Sequence, residues 1–177
     1  MGRRTQRPCL RTQARHQNFM PVSSEEFRNA LSRFPSGVTV VTTRGLNGRD
    51  HGITVSAFSS LSLEPPRVLI CIEKTTGSHE ALIESSTFIV NILSTEQKEI
   101  SERFASLIGN KFEVTEFEAG LDGIPKLLGC IATLECRVTS SYDGGDHTIF
   151  VGEVERAAVH KGDPIVYFRG DYRSIAG

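Results

Sequence analysis

Two hydrophobic periods alternate along this chain of 177 residues. Phe27, Ala30, Leu31 and Phe34 recur at helical spacing and form one apolar stripe. Ser23 followed three residues later by Glu26 is a capping box, worth about 1 kcal/mol to the helix start. Pro35 and Gly37 stop that helix. Residues 37–44 are rich in β-branched side chains and read as a strand, and 53–61 as a second. Glu64-Pro65-Pro66 breaks the chain before a strand over 67–73. A short helix over 78–85 and a strand over 87–93 follow. The spacing predicts a helix over 95–105 with Thr95 as its cap. Residues 106–128, with Gly120, Gly123 and Pro125, read as a long surface loop. Two long strands, 130–142 and 147–160, flank a Gly-rich turn, and a last strand covers 165–169. Strands outnumber helices and hairpins are the commonest link. The pattern predicts a mainly β fold, an antiparallel barrel with peripheral helices, over a doubly wound sheet.

Composition and charge narrow the function. Hydrophobic residues make up 38% and charged residues 23%, as in globular proteins. No apolar run approaches the ~20 residues of a membrane span. The net charge of −1 hides an asymmetry. Arg3, Arg4, Arg7, Arg11 and Arg15 fall in residues 1–20, which hold no acid. The remainder carries 15 basic against 21 acidic residues, an acidic balance that argues against a nucleic-acid-binding domain. Residues 1–20 lack the apolar core of a secretory signal and make a poor amphipathic helix. They are expected to be a disordered basic tail, with Met20 as a candidate natural start, ahead of one domain over 21–177. The four cysteines, at positions 9, 71, 130 and 136, form no C-x-x-C pair and have no neighbouring His cluster. No metal site is therefore expected, and a reducing, cytoplasmic setting is. Cys71, Cys130 and Cys136 read as small buried hydrophobes.

Four stretches carry candidate chemistry. In Asp143-Gly144-Gly145-Asp146-His147 the two glycines are expected to take the positive φ of a hairpin turn, which would set His147 at the rim of a sheet. Thr54, Ser56, Ser59, Ser60 and Ser62 line one strand and its exit among small neighbours. They read as a platform for a flat heteroaromatic ligand or as the wet face of an ordinary strand. Lys74-Thr75-Thr76-Gly77-Ser78 leaves a strand and enters a helix, either a phosphate cradle or a plain polar turn. Asn91 interrupts an apolar strand and needs partners, from the backbone or from a ligand. No G-x-G-x-x-G follows a strand, which excludes a Rossmann site.

Together these stretches resemble the flavin reductase family of the FMN-binding split-barrel fold. The resemblance runs over 24–173 and rests on five ordered motifs: 34–42, 54–66, 88–93, 144–154 and 164–172. It implies an antiparallel Greek-key split barrel that transfers a hydride from NADH, with NADPH the less favoured donor, to FMN or FAD. It also implies a homodimer that supplies reduced flavin to a partner monooxygenase. By resemblance Thr54, Val55, Ser56, Ala57, Ser59 and Ser60 line the flavin ring, with Ser36 nearby. Lys74 and Ser78 approach the phosphate end, and Arg103 and Phe104 match a phosphate-proximal pair. Asn91, Ile92 and Leu93 border the ring or ribityl chain. His147 contacts the nicotinamide, and Tyr172 and Arg173 close the site. The competing reading is a flavin carrier or sensor without catalysis. A pyridoxamine phosphate oxidase-like enzyme is a third, for which the expected basic cluster is not evident.

Overall fold

The computed structural model describes residues 22–107 and 109–175. The expected tail over 1–20 and Cys9 lie outside them. Helix α1 (Ser24–Leu31) opens with the capping box: Glu26 N donates to Ser23 Oγ at 3.2 Å, and Ser23 N to the Glu26 carboxylate at 2.9 Å. Its apolar stripe is not buried in this chain; Phe27 is 53% and Leu31 55% exposed.

Twelve strands follow the chain among the described residues. They are β1 (Ser36–Gly37), β2 (Thr39–Arg44), β3 (Asp50–Val55), β4 (Phe58–Leu63), β5 (Pro66–Glu73) and β6 (Thr87–Ile92). After these come β7 (Phe117–Ala119), β8 (Pro125–Leu127), β9 (Ala132–Gly144), β10 (His147–Val159), β11 (Ile165–Phe168) and β12 (Asp171–Ser174). Helices α2 (Gly77–Ser85) and α3 (Lys98–Ala105) are insertions between strands. Seven strands form one antiparallel sheet in the order β3-β2-β6-β9-β10-β5-β4. Laid flat, such a sheet would hold its edges roughly 29 Å apart. Yet the edge strands β3 and β4 are consecutive, joined only by Ser56 and Ala57, a link that can span at most about 11 Å. The sheet must therefore curl until its edges meet. The result is a barrel split along the β3/β4 seam. The strand read over 53–61 is thus two strands on opposite edges.

Alternation along the strands divides the core. On β2, Val41 points into the barrel with Phe88, Val90, Ile70, Ile72 and Phe150, while Val40 joins Leu93, Phe104 and Leu127 outside it. Both faces of β2 are therefore buried. The cover on the outer face is the segment expected to be a surface loop. Thr42 Oγ1 donates to Pro125 O at 2.6 Å, Leu127 N donates to Asn91 Oδ1 at 2.9 Å, and Leu121, Ile124 and Leu127 are buried. Residues 106–128 therefore hold a small hairpin, β7–β8, packed on the barrel wall.

Two smaller expectations are corrected. A 3₁₀ turn over Thr95–Gln97 leads into α3, and its cap is Ser94, whose N donates to Gln97 Oε1 at 3.1 Å. In the β9–β10 turn only Gly145 has positive φ, at 86°, the pattern of a type II′ turn. Cys130 and Cys136 are buried as expected, whereas Cys71 is half-buried. A separate three-stranded sheet, β1-β11-β12, sits beside α3. Among the described residues no helix is long and apolar enough to cross a membrane.

Candidate active site

Three pieces of backbone surround a cleft of about 910 Å³. One wall is His51–Thr54 on β3, the second is the β5–α2 turn at Thr75–Ser78, and the third is the end of α3 with Lys111 and Phe112 beyond it. Gly52 permits the close fit of these walls, because a Cβ there would lie 2.4 Å from the Phe104 ring and 3.1 Å from Phe112. The Phe104 and Phe112 rings meet edge to face at 5.2 Å.

Of the residues singled out in the sequence, Thr54, Ser78 and Phe104 line this cleft. Phe104 is fully buried, so its ring forms the floor. Thr54 Oγ1 donates to Ser101 O at 2.6 Å, and Ser101 Oγ is 2.8 Å from Tyr172 OH. This relay joins the barrel edge to β12 and anchors Tyr172 behind the wall. Lys98 lies 5.6 Å from the Tyr172 ring centroid. Arg103 holds the segment after α3 by donating to Thr115 Oγ1 at 2.8 Å and Val114 O at 3.2 Å. Ser56, Ala57, Ser59 and Ser60 lie exposed along the seam and on β4. There β4 pairs on one side only, so alternate backbone N–H and C=O groups remain open. Ser36 is half-buried, paired with Tyr167, and Arg173 bridges to Asp171 at 2.9 Å on the surface.

Other side chains are engaged inside the protein. Asn91 is fully buried: its Nδ2 donates to Val40 O at 2.9 Å and Thr42 Oγ1 at 3.2 Å, while its Oδ1 holds Leu127 N. Its amide docks the 106–128 segment and is not offered to a ligand. Val55 and Leu93 are likewise core residues, and Ile92 packs against the barrel interior.

Lys74 is turned toward the β9–β10 hairpin. Its Nζ donates to Gly145 O at 2.6 Å and pairs with Asp143, and its backbone N donates to Asp146 O at 3.0 Å. Both sides of the residue thus grip the turn that carries His147. The half-exposed His147 has Nδ1 2.7 Å from Asp146 Oδ1, leaving Nε2 for a ligand. The imidazole and Lys74 in turn hold Asp146 below the usual carboxylate pKa, the His147 contact being the larger cause. One strand residue further on, Thr148 Oγ1 is 2.8 Å from His79 Nε2 on α2. The hairpin is therefore tied to the β5–α2 turn by Lys74 and to α2 by His79.

Sequence reasoning missed His51, Lys111 and Phe112. The last two fall in the stretch read as surface loop, and only the fold brings them over Gly52 and Phe104. The cleft fits a flavin in size and character. Its volume suits a ligand of that class, its walls combine the Phe112 ring with the polar residues Thr54 and Ser78, and the edge strand β3 borders it.

An antiparallel split barrel with such a cleft defines the class, a flavin-binding split-barrel protein. Residues 31–176 match the model of the flavin reductase like domain. The FMN reductase (NADH) SmoA of Agrobacterium fabrum is 42% identical over 150 residues, covering 85% of each chain. The reductase component of the Rhodococcus opacus 4-nitrophenol 4-monooxygenase/4-nitrocatechol 2-monooxygenase is 38% identical, over 86% of this chain and 81% of its own. Among solved structures, the Streptomyces globisporus NADH:FAD oxidoreductase SgcE6, in complex with NAD and FAD fragments, superposes with a TM-score of 0.82 at 36% identity. That match covers 86% of this chain and 92% of the other. The chain belongs to the flavin reductase family.

Proposed function

We infer that this protein is an NADH-dependent flavin reductase, the component that supplies reduced flavin to a partner monooxygenase. The observation that carries this reading is the cleft walled by the edge strand β3, the β5–α2 turn and the Phe104–Phe112 ring pair, in a chain of this family. When bound, the flavin, FMN or FAD, supplies the hydride acceptor, and the redox chemistry is its own.

The protein's residues bind and orient. Open backbone groups from Ser56 to Ser60 would recognise the polar edge of the ring, and Thr54 holds the adjoining β3 edge rigid through Ser101. Phe104 and Phe112 exclude water from one face. His147 would present Nε2 to the carboxamide of the nicotinamide and orient the donor toward the flavin. Asp146 fixes the imidazole orientation through Nδ1. No side chain acts as a nucleophile.

The active form is a homodimer. The open apolar face of α1 supports this, since a second copy would bury Phe27 and Leu31, and Leu63 on the β4 edge is 90% exposed. Steady-state kinetics tests the reading. NADH consumption should require and saturate with added flavin, and His147→Ala should raise the KM for NADH more than it lowers kcat. NADH consumption absent with both flavins would reject the activity.

A further inference from the structure

Thr148 follows His147 on β10 and faces the other way, because successive side chains on a strand alternate. Its partner across the sheet is Ile72, and Phe150, two residues on, is buried in the barrel interior. Thr148 therefore stands on the inner face at the barrel mouth, and His147 on the outer one. Helix α2 closes that mouth, with Leu82 buried in the same core as Ile70, Ile72 and Phe150. His79 precedes Leu82 by three residues and so shares its helix face. The half-buried His79 has Nε2 2.8 Å from Thr148 Oγ1, and its ring packs edge-on against Phe150 with centroids 5.7 Å apart.

This clamp differs from the one made by Lys74. Lys74 grips Gly145 and Asp146, which precede His147. His79 grips the residue that follows it. With both in place the His147 backbone is held on either side, and Asp146 sets the ring through Nδ1. His79 lies outside the cleft, although its neighbour Ser78 lines it, so the same turn of α2 serves the cleft wall and the strand of His147.

We propose that His79 is a positioning residue for the hydride donor, acting through Thr148 to hold the imidazole of His147 in place. The assignment rests on the reading in which His147 meets the nicotinamide. Loss of the His79–Thr148 bond frees the start of β10 to shift, which weakens the grip on NADH and leaves the cleft intact.

Steady-state kinetics on variants at these two positions tests the assignment, with NADH and FMN varied in turn. Thr148→Val keeps the branched shape and removes the hydroxyl. His79→Phe keeps the edge contact with Phe150 and removes the bond. Each should raise the KM for NADH about 3–10-fold, with kcat and the KM for FMN within about 2-fold. The double variant should be no worse than either single one, because both changes remove the same bond. His79→Gln, whose amide reaches the place of Nε2, should bring the KM for NADH back to within about 2-fold of the unchanged protein. Multiplied effects in the double variant, or an equal rise in the KM for FMN, would overturn the assignment. So would a lower melting temperature with NADH kinetics unmoved, which would make the pair structural only. Where His79→Phe fails to fold, the near-isosteric Thr148→Val carries the test. If His147→Ala leaves the KM for NADH unchanged, the reading of His147 itself falls, whatever the variants at His79 show.

Discussion

Lys74 Nζ donates to Gly145 O at 2.6 Å, tying the β5–α2 turn to the hairpin tip that carries His147. The contact spans 71 positions in sequence, and the Lys74 backbone reinforces it through Asp146 O. The Lys74–Asp143 pair is largely exposed, so solvent screening leaves it little weight in folding. Its larger consequence is positional. Lys74→Met should raise the KM for NADH about 3–10-fold with kcat within about 2-fold, because a loosened turn misplaces the imidazole. A thermal melt of the same variant should move little. A large drop in melting temperature with unchanged NADH kinetics would show Lys74 to be structural only.

Asn91 joins strands to the β7–β8 segment. Asn91→Leu fills similar volume but leaves Leu127 N without its acceptor, a loss of about 1–3 kcal/mol. Urea unfolding should shift to a lower midpoint by that amount. The same variant should become more sensitive to proteolysis within 106–128.

Gly152 on β10 lies against the Phe88 ring. A Cβ there would stand 2.4 Å from Phe88 Cζ and 3.0 Å from Cys136 Cβ. Phe88 is fully buried among core side chains and has nowhere to move. Gly152→Ala should therefore cost about 1–3 kcal/mol by overpacking, read as a lower melting temperature. An unchanged melt would mean that the barrel interior yields more readily than its packing implies.

His51 lines the cleft with its pKa depressed, first by burial and then by Arg49. Its folded pKa lies below the ordinary 6.5, so the native state resists protonation at this ring. The sign follows from linkage: stability is full above about pH 6.5 and declines as pH falls through that value toward the folded pKa. Denaturation midpoints taken between about pH 7.5 and 5.5 should show this decline. His51→Gln should flatten that part of the curve.

The sequence revealed local features and hid those made by distant contacts. The Ser23–Glu26 capping box, the α2 and α3 helices and the β9–β10 hairpin are written in adjacent residues, and all are present. The break at Ser56–Ala57 was invisible because apolar and polar positions run on through it without a turn signal. It exists because closing the sheet places β3 and β4 on opposite edges. The segment after α3 looked like loop because its buried residues, Leu121, Ile124 and Leu127, alternate with Gly and Pro. Its order comes from Asn91 and Thr42, more than 30 residues away in sequence. The same cause hid Lys111, which gains its meaning only when folded over Gly52. Ser94 could have been read as a cap, since Gln97 stands three residues on.

Anaerobic mixing of the purified protein with NADH and FMN tests the central claim most directly, followed at once in the nicotinamide and flavin absorbance bands. The account predicts that the two bands bleach together, one flavin reduced for each NADH oxidised, at a rate set by protein concentration. Flavin fluorescence quenched by the protein while both bands persist would contradict it and leave a flavin-binding protein without reductase activity.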